Sequence, residues 1–293
     1  MKGSIRIIGA PVDLGQSHRG VDMGPSAIRY AGLLSRLRDL GYTVTDVGNI
    51  PVRVRDSLAE QELLSEITSA CETIYRLAGE AVADDCKPIF LGGDHSISIG
   101  SVGGVSHSEP VGVIWIDAHG DFNTPQTSTS GNIHGMALAA LTGNGIPEMV
   151  NIGRSGPKIK PGNVVLIGIR ELDRKEKENL INSGVAIYTM RDIDEEGMNV
   201  IARKALMRLN HLSRIHVSLD IDSLDPIAVP GVGTPVSGGL TYREAHLLME
   251  VICDSGMVGS MDIVEINPII DHCNQTAAIA VDLAVSLFGK RIL

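Results

Sequence analysis

The chain has 293 residues, with 25 Lys and Arg against 35 Asp and Glu, and a formal net charge of -10 at pH 7. This length can bury a large core, whereas the acidic balance argues against binding to nucleic acid or to an anionic membrane, since both need a basic face. The nine aromatic residues (one Trp, five Tyr and three Phe) are too few and too scattered for a platform that stacks bases.

Short β-branched runs alternate with longer helical patterns along the chain. The β-branched runs predict eight strands, at residues 5–10, 43–47, 88–91, 111–117, 164–169, 185–188, 215–220 and 258–266. The helical patterns predict helices at residues 25–40, 59–83, 193–209, 242–253 and 276–287. This alternation indicates an α/β fold with a parallel sheet, and by itself it leaves a closed barrel and an open doubly wound sheet both possible.

Two connections stand out from this alternation. Segment 123–135 is long, polar and rich in Ser and Thr, and such loops are usually functional. Segment 143–162 is rich in Gly and Pro and predicts a surface excursion. Since no repeat or linker divides the sequence, we expect residues 1–293 to form a single domain.

Cysteine usage and hydropathy predict the cellular location. The four cysteines, Cys71, Cys86, Cys253 and Cys273, are widely spaced and form no Cys-x-x-Cys motif, which indicates reduced core thiols. The first apolar run is too short for a signal peptide, and no run reaches the roughly 18 apolar residues of a membrane span. We therefore expect a cytoplasmic protein without a membrane partner.

Carboxylates and imidazoles follow several of the predicted strands, at the edge where α/β folds build their sites. The residues in question are His95, the Asp117, His119 and Asp121 series, the Asp220 and Asp222 pair, and Glu265. In an extended segment alternate side chains share a face, so the Asp-x-His-x-Asp spacing predicts that its three side chains point to one side.

These strand ends predict a metal centre, because unpaired carboxylates that meet in one crevice repel each other and are costly to desolvate. The six candidate ligands are His95, Asp117, His119, Asp121, Asp220 and Asp222. Six ligands are too many for one tetrahedral zinc and suit two ions that share carboxylates. Oxygen donors without a thiolate favour a harder ion such as Mn²⁺. Two such ions can lower the pKa of a bridging water and supply hydroxide for hydrolysis.

Longer motifs make the interpretation more specific. They are GAPVDLGQ (9–16), GGDHSI (92–97), DAHGDFNTPQTSTSGNIHGM (117–136), SLDIDSLDP (218–226), GVGTPVSGGLTYREA (231–245), DIVEINP (262–268) and FGKRIL (288–293). With these motifs the sequence resembles the ureohydrolase family over nearly its whole length. The resemblance implies a three-layer α/β/α sandwich with a mainly parallel eight-stranded sheet, and two Mn²⁺ per subunit held by the six residues above.

The resemblance is strongest to members that hydrolyse L-arginine to L-ornithine and urea with a metal-bridging hydroxide. It implies that Glu265 pairs with the guanidinium and that Asp121 accepts a proton from the hydroxide. His134 matches the family histidine that shuttles protons and helps to protonate the leaving amine, a role that suits a pKa near working pH. Thr234 resembles a residue of the pocket near the reacting centre.

The resemblance also implies contacts to the amino-acid part of the substrate. Asn123, Ser130 and Asn132 match residues that bind the α-carboxylate, and Ser128 keeps a hydroxyl where many members have threonine. Asp173 and Glu176 match residues that receive the α-amino group. The family further implies a homo-trimer or homo-hexamer.

Two alternative functions remain. An agmatinase or a formimidoylglutamase of the same family would share the metals and Glu265, although agmatine has no α-carboxylate for segment 123–132 to bind. A catalytically silent, metal-stabilised binding protein is the alternative from another class, and the presence of all six ligands with His134 and Glu265 argues against it.

Overall fold

A computed structural model describes residues 2–291, in which one sheet of eight strands runs through the molecule. Met1, Ile292 and Leu293, at the ends of the predicted domain and of the last motif, lie outside the described residues. The strands are β1 (Ser4–Ala10), β2 (Thr43–Asn49), β3 (Cys86–Gly92), β4 (Gly112–Ile116), β5 (Val164–Ile169), β6 (Ala186–Thr189), β7 (Ile215–Asp220) and β8 (Val258–Val264). All eight predicted strands are confirmed, with shifts of a few residues at their ends.

The sheet is open, and its strand order is β2-β1-β3-β8-β7-β4-β5-β6. Each neighbouring pair is parallel. The order therefore excludes the closed barrel that the pattern of elements had left possible. It also places β3, β8, β7 and β4 side by side in the middle of the sheet, so that the carboxyl ends of these four strands meet at one edge.

Residues 2–291 contain eleven α-helices, of which the first ten lie between strands and the last follows β8. They are α1 (Gly24–Tyr30), α2 (Leu33–Asp39), α3 (Leu63–Ala83), α4 (Ser98–Val105), α5 (Ala137–Leu141), α6 (Pro147–Val150), α7 (Arg174–Ser183), α8 (Met190–Glu196), α9 (Met198–Leu209), α10 (Tyr242–Asp254) and α11 (Gln275–Leu287). Two predicted helices are each split in two, because Gly32 and Gly197 have φ angles of 87° and 84°, which an α-helix does not accommodate.

The helices form a layer on each face of the sheet. Successive side chains of a strand point to opposite faces, and in β1 Ile7 belongs to one core whereas Ile8 belongs to the other. The first core packs the sheet against α1, α2 and α8–α11, and the second packs it against α3–α7. The predicted three-layer α/β/α sandwich is therefore confirmed, with a sheet that is parallel throughout.

The loops after β1 and β3 approach each other closely beside the central strands. A Cβ atom at Gly93 would lie 1.8 Å from the carbonyl oxygen of Val12, so this crossing requires glycine. The Asp94 carboxylate then accepts a hydrogen bond of 2.8 Å from the N–H of Gly15. Both loops are thus held at the functional edge of the sheet.

The helices and the four cysteines bear on the predictions about membrane crossing and about thiols. No helix within residues 2–291 is long and apolar enough to cross a membrane. All four cysteines are free thiols, as predicted, but only Cys71 is buried, and Cys273 is exposed. The expectation that all four are core thiols is therefore wrong.

Candidate active site

The imidazole of His95 lies at the centre of a group of buried carboxylates. Its Nδ1 atom is 2.9 Å from Asp121 Oδ2, 3.2 Å from Asp117 Oδ2 and 3.2 Å from Asp220 Oδ2. His95 and Asp117 are fully buried, and Asp121 and Asp220 are nearly so. Residues from the ends of β3, β4 and β7 therefore converge as predicted.

His119 forms a second group beside the first. Its Nδ1 atom is 3.1 Å from Asp222 Oδ2 and 3.4 Å from Asp117 Oδ1. Asp117 belongs to both groups, with one carboxylate oxygen facing each histidine. We call the six residues together the carboxylate–imidazole cluster: His95, Asp117, His119, Asp121, Asp220 and Asp222.

The backbone brings these side chains together in a conformation other than the extended one that the Asp-x-His-x-Asp spacing predicted. Residues 117–121 lie beyond the end of β4 and include bends at Ala118 and His119, so the assumption of an extended segment is wrong. Asp121 instead has a φ angle of 48°, in the left-handed region that non-glycine residues rarely adopt. Glu265, just after β8, has a φ angle of 65°. Strained conformations of this kind concentrate at functional sites, where the surrounding structure holds them in place.

Buried neighbours fix the orientation of the cluster. The His95 ring stacks on Trp115 at a centroid distance of 4.1 Å, and its Nε2 atom is 2.8 Å from Ser218 Oγ. The Trp115 indole N–H donates to Asp117 Oδ2 over 3.0 Å. With Nε2–H donating to Ser218, the Nδ1 lone pair of a neutral His95 points at the carboxylates, which is the arrangement of a metal-binding histidine.

Burial and mutual repulsion shift the protonation of the cluster. Burial raises the pKa of Asp220 well above its usual value, and the charge of Asp222 raises it further. Burial lowers the pKa of His119, but the charge of Asp222 and contact with Asp117 outweigh it and raise that pKa to about 12. In the absence of a cation, protons on these groups therefore offset the carboxylate charge.

The donor set fits divalent cations. His95 Nδ1 and Asp121 Oδ2 are buried polar atoms that form no hydrogen bond within residues 2–291, although they lie 2.9 Å apart. Polar atoms buried in this way are costly unless something binds them. A cation between them would satisfy both atoms and replace the protons that offset the charge of the carboxylates.

Glu265 and His134 lie next to the cluster. The His134 Nδ1 atom is 3.0 Å from Glu265 Oε1, which also accepts the backbone N–H of His95 over 2.8 Å. Burial raises the pKa of Glu265, but the charge and hydrogen bond of His134 outweigh it and lower that pKa below its usual value. Burial lowers the pKa of His134, but Glu265 outweighs it and raises that pKa to about 9. Glu265 is therefore ionised at neutral pH, and His134 carries the proton between them.

A cleft of about 290 Å³ leads from solvent to the cluster. Its walls contain two cluster residues, the predicted catalytic His134 and all of the predicted substrate contacts except Glu265: His119, Asp121, His134, Asn123, Ser128, Ser130, Asn132, Asp173, Glu176 and Thr234. Glu265 is fully buried and reaches the site beneath this cleft. Thr234 Oγ1 donates to Asp222 Oδ2 over 3.0 Å, so Thr234 lies against the cluster as expected.

The outer part of the cleft is built from a loop and the amino end of α7, which contact each other. We call these residues the outer rim: Asn123, Ser128, Thr129, Ser130, Asn132, Asp173 and Glu176. The Asp173 carboxylate accepts from Asn123 Nδ2 over 3.1 Å and from Thr129 Oγ1 over 3.0 Å. Glu176 accepts from the backbone N–H groups of Phe122 and Asp173, and its burial raises its pKa to about 7.

The serine hydroxyls of the outer rim stabilise turns. Ser128 Oγ accepts from the N–H of Gly131 over 2.9 Å, and Ser130 Oγ accepts from the N–H of Asn132 over 3.2 Å. Each hydroxyl still has its own hydrogen to donate to an anionic group in the cleft. Turn stabilisation and substrate binding are thus compatible at these two residues.

Three residues of the site were missed by the sequence interpretation. Thr129 and Glu171 line the cleft, and Gln16 donates to Glu265 Oε2 over 2.7 Å. Thr129 and Gln16 lie within motifs that carry the family resemblance, which was the available signal. Glu171 lies beside Asp173 in an otherwise charged stretch, where composition does not distinguish it from a solvated residue.

A larger cavity of about 600 Å³ lies near the amino ends of β4, β5 and β7, at the opposite edge of the sheet. His107, Arg154 and Lys158 contribute to its walls. The Lys158 ammonium is already bound by the carbonyl groups of Val150, Arg154 and Gly156. Since the reactive cluster lies at the other edge, the smaller cleft is the candidate active site.

Comparisons with known proteins agree with this choice. A model described as the arginase family matches residues 3–289. The arginase of Bacillus subtilis is 49% identical over 296 residues, with 100% of both chains covered. Its crystal structure has a TM-score of 0.94 at 49% identity and covers 99% of this chain and 100% of that chain. The native structure of arginase from Bacillus caldovelox has a TM-score of 0.96 at 49% identity and covers 99% of both chains.

Proposed function

This chain belongs to the arginase family of hydrolases, and we propose that it hydrolyses L-arginine to L-ornithine and urea at a binuclear manganese site. The resemblance to ureohydrolases that the motifs indicated is confirmed by the family match and by full-length relatives at 49% identity. The position of Asp117 carries the proposal. One of its carboxylate oxygens faces His95 and the other faces His119, so Asp117 belongs to both groups of candidate metal ligands.

We propose that the six residues of the carboxylate–imidazole cluster would hold two Mn²⁺ ions, since Asp117 belongs to both groups of candidate ligands. The preponderance of oxygen donors, with two imidazoles and no thiolate, supports manganese. When bound, the metal pair supplies hydroxide at neutral pH and stabilises developing negative charge. Asp121 would accept the proton that the attacking water loses, and this role is supported by its Oδ2 atom, which forms no hydrogen bond within residues 2–291.

Glu265 is proposed to orient the substrate. The guanidinium carbon is a poor electrophile, because its positive charge is delocalised over three nitrogens, so attack requires that it be held in place. Glu265 is buried and ionised beside the cluster, where an ion pair with a guanidinium is stronger than in water. Its contact with the N–H of His95 ties its position to that of a cluster residue.

His134 is proposed to supply the proton that the leaving amine of ornithine requires. Its pKa of about 9 keeps it protonated at neutral pH, and it lies between Glu265 and the cleft. A histidine in that position can donate to the leaving nitrogen and be reprotonated from solvent. Thr234 is proposed to shape the pocket through its bond to Asp222.

The outer rim is proposed to recognise the amino-acid part of arginine. Asn123, Ser128, Ser130 and Asn132 offer hydroxyl and amide donors for the α-carboxylate, and Asp173 and Glu176 offer carboxylates for the α-ammonium. Agmatine lacks the α-carboxylate, so the donors on segment 123–132 favour arginine over the agmatinase alternative. Formimidoylglutamase remains the other alternative within the family.

Urea release from arginine and from agmatine by the Mn²⁺-loaded protein tests the proposal. We expect a higher kcat/KM for arginine. A preference for agmatine would replace the proposal with the agmatinase function, and no urea from either compound, with or without Mn²⁺, would indicate a catalytically silent protein.

We also propose that residues 1–293 form one domain, that the protein acts in the cytoplasm, and that it forms a homo-trimer or homo-hexamer. The four free thiols support a reducing compartment, and the family resemblance supports the assembly. Light scattering tests the assembly, since three or six chains of 31.1 kDa are expected per particle.

A further inference from the structure

The side chain of Gln16 ends in a buried acceptor that none of residues 2–291 binds. Gln16 is 2% exposed, and its Nε2 atom donates to Glu265 Oε2 over 2.7 Å. Its Oε1 atom has no hydrogen-bond partner within residues 2–291. A buried amide oxygen without a partner is costly, and such an atom beside a reactive centre points to a ligand that supplies the missing donor.

The orientation of this amide is set by its neighbour. An ionised carboxylate only accepts hydrogen bonds, so Gln16 must turn its NH₂ group towards Glu265. That orientation leaves Oε1 as the free end of the amide. It faces Gly233, where a Cβ atom would lie only 2.9 Å from it. The following residue, Thr234, lines the cleft, so the free acceptor lies against the backbone next to the cleft wall.

Glu265 alone offers few acceptor positions to a guanidinium. Its Oε1 atom already accepts from the N–H of His95 and from His134, and its Oε2 atom accepts from Gln16. Two oxygens have about four lone-pair positions between them, so about one is left, on Oε2. A guanidinium presents its N–H groups in a planar fork and binds best to two acceptors side by side.

The segment that carries Gln16 is anchored on both sides. The N–H of Gly15 donates to Asp94, and the Gly15 carbonyl accepts the N–H of His134 over 3.0 Å. The Gln16 carbonyl accepts from Arg55 over 2.7 Å. The acceptor is therefore held in place before a substrate arrives, which lowers the entropy lost on binding.

We propose that Gln16 is a substrate-binding residue whose Oε1 atom accepts one N–H of the substrate guanidinium, while Glu265 Oε2 accepts another. This inference rests on the proposed function and adds a second acceptor for the group that is cleaved. It assigns to the loop after β1 a direct part in selecting guanidino compounds.

The test compares L-arginine with L-ornithine, which keeps the α-groups and lacks the guanidinium. Gln16→Met keeps the length of the side chain and removes both polar atoms. We expect its KM for arginine to rise by about 10- to 100-fold, as for the loss of a hydrogen bond to a charged group. Inhibition by ornithine should change by less than about twofold. Gln61→Met, at an exposed glutamine, is the matched control and should leave both values unchanged.

A second variant separates the acceptor from the donor. Gln16→Glu keeps an oxygen in the position of Oε1, and it has no hydrogen to donate to Glu265 when it is ionised, so it is compared at a pH at which the introduced carboxyl is ionised. If Gln16 acts as an acceptor, Gln16→Glu binds arginine more tightly than Gln16→Met does. If Gln16 only positions Glu265, the two variants are equally impaired, and that result would overturn the inference. Manganese content and the thermal midpoint of each variant show that the fold is retained.

The outcomes distinguish this inference from the proposed function. If Gln16→Met loses arginine and ornithine binding equally, or loses neither, the role of Gln16 is overturned, while arginine hydrolysis by the wild-type protein is unaffected.

If the wild-type protein releases no urea from arginine, the proposed function fails. Arginine can then be titrated calorimetrically into the Mn²⁺-loaded proteins without turnover. A selective loss of arginine affinity in Gln16→Met would still support the guanidinium contact, and equal affinities would overturn it.

Discussion

The carboxylate–imidazole cluster and the outer rim occupy the same cleft but are built in different ways. Cluster side chains lie at the ends of central strands, and the most buried of them are held by groups beneath them, such as Trp115 and Ser218. Rim side chains lie on a loop and at the amino end of α7, and some bind one another, as Asp173 binds Asn123 and Thr129. The inner region is therefore fixed by the sheet, and the outer region by contacts between that loop and α7. Changes in the cluster should abolish turnover, whereas changes in the rim should alter which substrate is preferred.

The largest effect is expected from Asp117→Asn, which removes charge from the residue shared by both groups. We expect kcat to fall by at least about 1,000-fold, because a metal pair contributes several kcal/mol to transition-state stabilisation. Bound manganese should fall in parallel. Urea assays with metal analysis check this, and Asp194→Asn, at an exposed aspartate of α8, is the control. Full activity with two bound ions would show that Asp117 is not shared between metals.

A smaller effect is expected from His134→Asn, at the boundary between the two regions. Loss of a proton donor should lower kcat by about 100- to 10,000-fold, while manganese content stays at the wild-type level. Kinetics and metal analysis on the same preparation check this, and His272→Asn, at an exposed histidine, is the control. Loss of metal in His134→Asn would make it a ligand and would extend the cluster outwards.

The rim should respond to pH through Glu176. Burial raises its pKa to about 7, so it is ionised above that pH and can then pair with the α-ammonium. The KM for arginine should therefore fall roughly tenfold from about pH 6 to pH 8, since the ionised fraction of Glu176 falls tenfold per unit below the pKa.

The same pKa shift affects the free energy of unfolding. The contribution of Glu176 to stability is greatest below about pH 4.5 and is lost as pH rises through 7.

In Glu176→Gln this pH dependence of KM should disappear. The measurement is KM for arginine across that pH range in both proteins, with the dependence of kcat recorded alongside to separate the titration of other groups. An unchanged KM profile in the variant would assign the titration to another residue and remove Glu176 from the α-amino contact.

The smallest effect is expected from Ser130→Ala in the rim. We expect kcat/KM for arginine to fall by about 3- to 10-fold, as for one hydrogen bond, and the value for agmatine to change by less than about twofold. Ser155→Ala, at an exposed serine outside the cleft, is the control. Equal losses with both substrates would mean that Ser130 only stabilises its turn and does not bind the α-carboxylate.

The difference between the carboxylate–imidazole cluster and the outer rim explains which features the sequence could predict. The eight strands followed from β-branched runs, and the cluster followed from carboxylates at strand ends, because central strands bring such residues together whatever the loops do. The splits at Gly32 and Gly197 were missed, since a helical pattern does not reveal a positive φ angle. The conformation of Asp121 was missed for the same reason, so its convergence with Asp117 was predicted from the wrong geometry.

The residues of the outer rim and their partners could not be assigned from the sequence pattern of strands and helices alone. Asp173 and Asn123 are far apart in sequence, and only the family resemblance brought them together before the structure did. Gln16 lay in a motif that was noted, but neither its contact with Glu265 nor its free oxygen can be inferred without coordinates. Residues whose role depends on one loop meeting another are the ones that the sequence alone did not assign.

The most direct test of the central claim is a titration of metal-free protein with Mn²⁺, in which bound metal and urea release from arginine are measured together. We predict that urea release is negligible without metal and rises to its maximum as two Mn²⁺ bind per chain. Full activity at one Mn²⁺ per chain, or urea release without any metal, would contradict a binuclear site shared through Asp117.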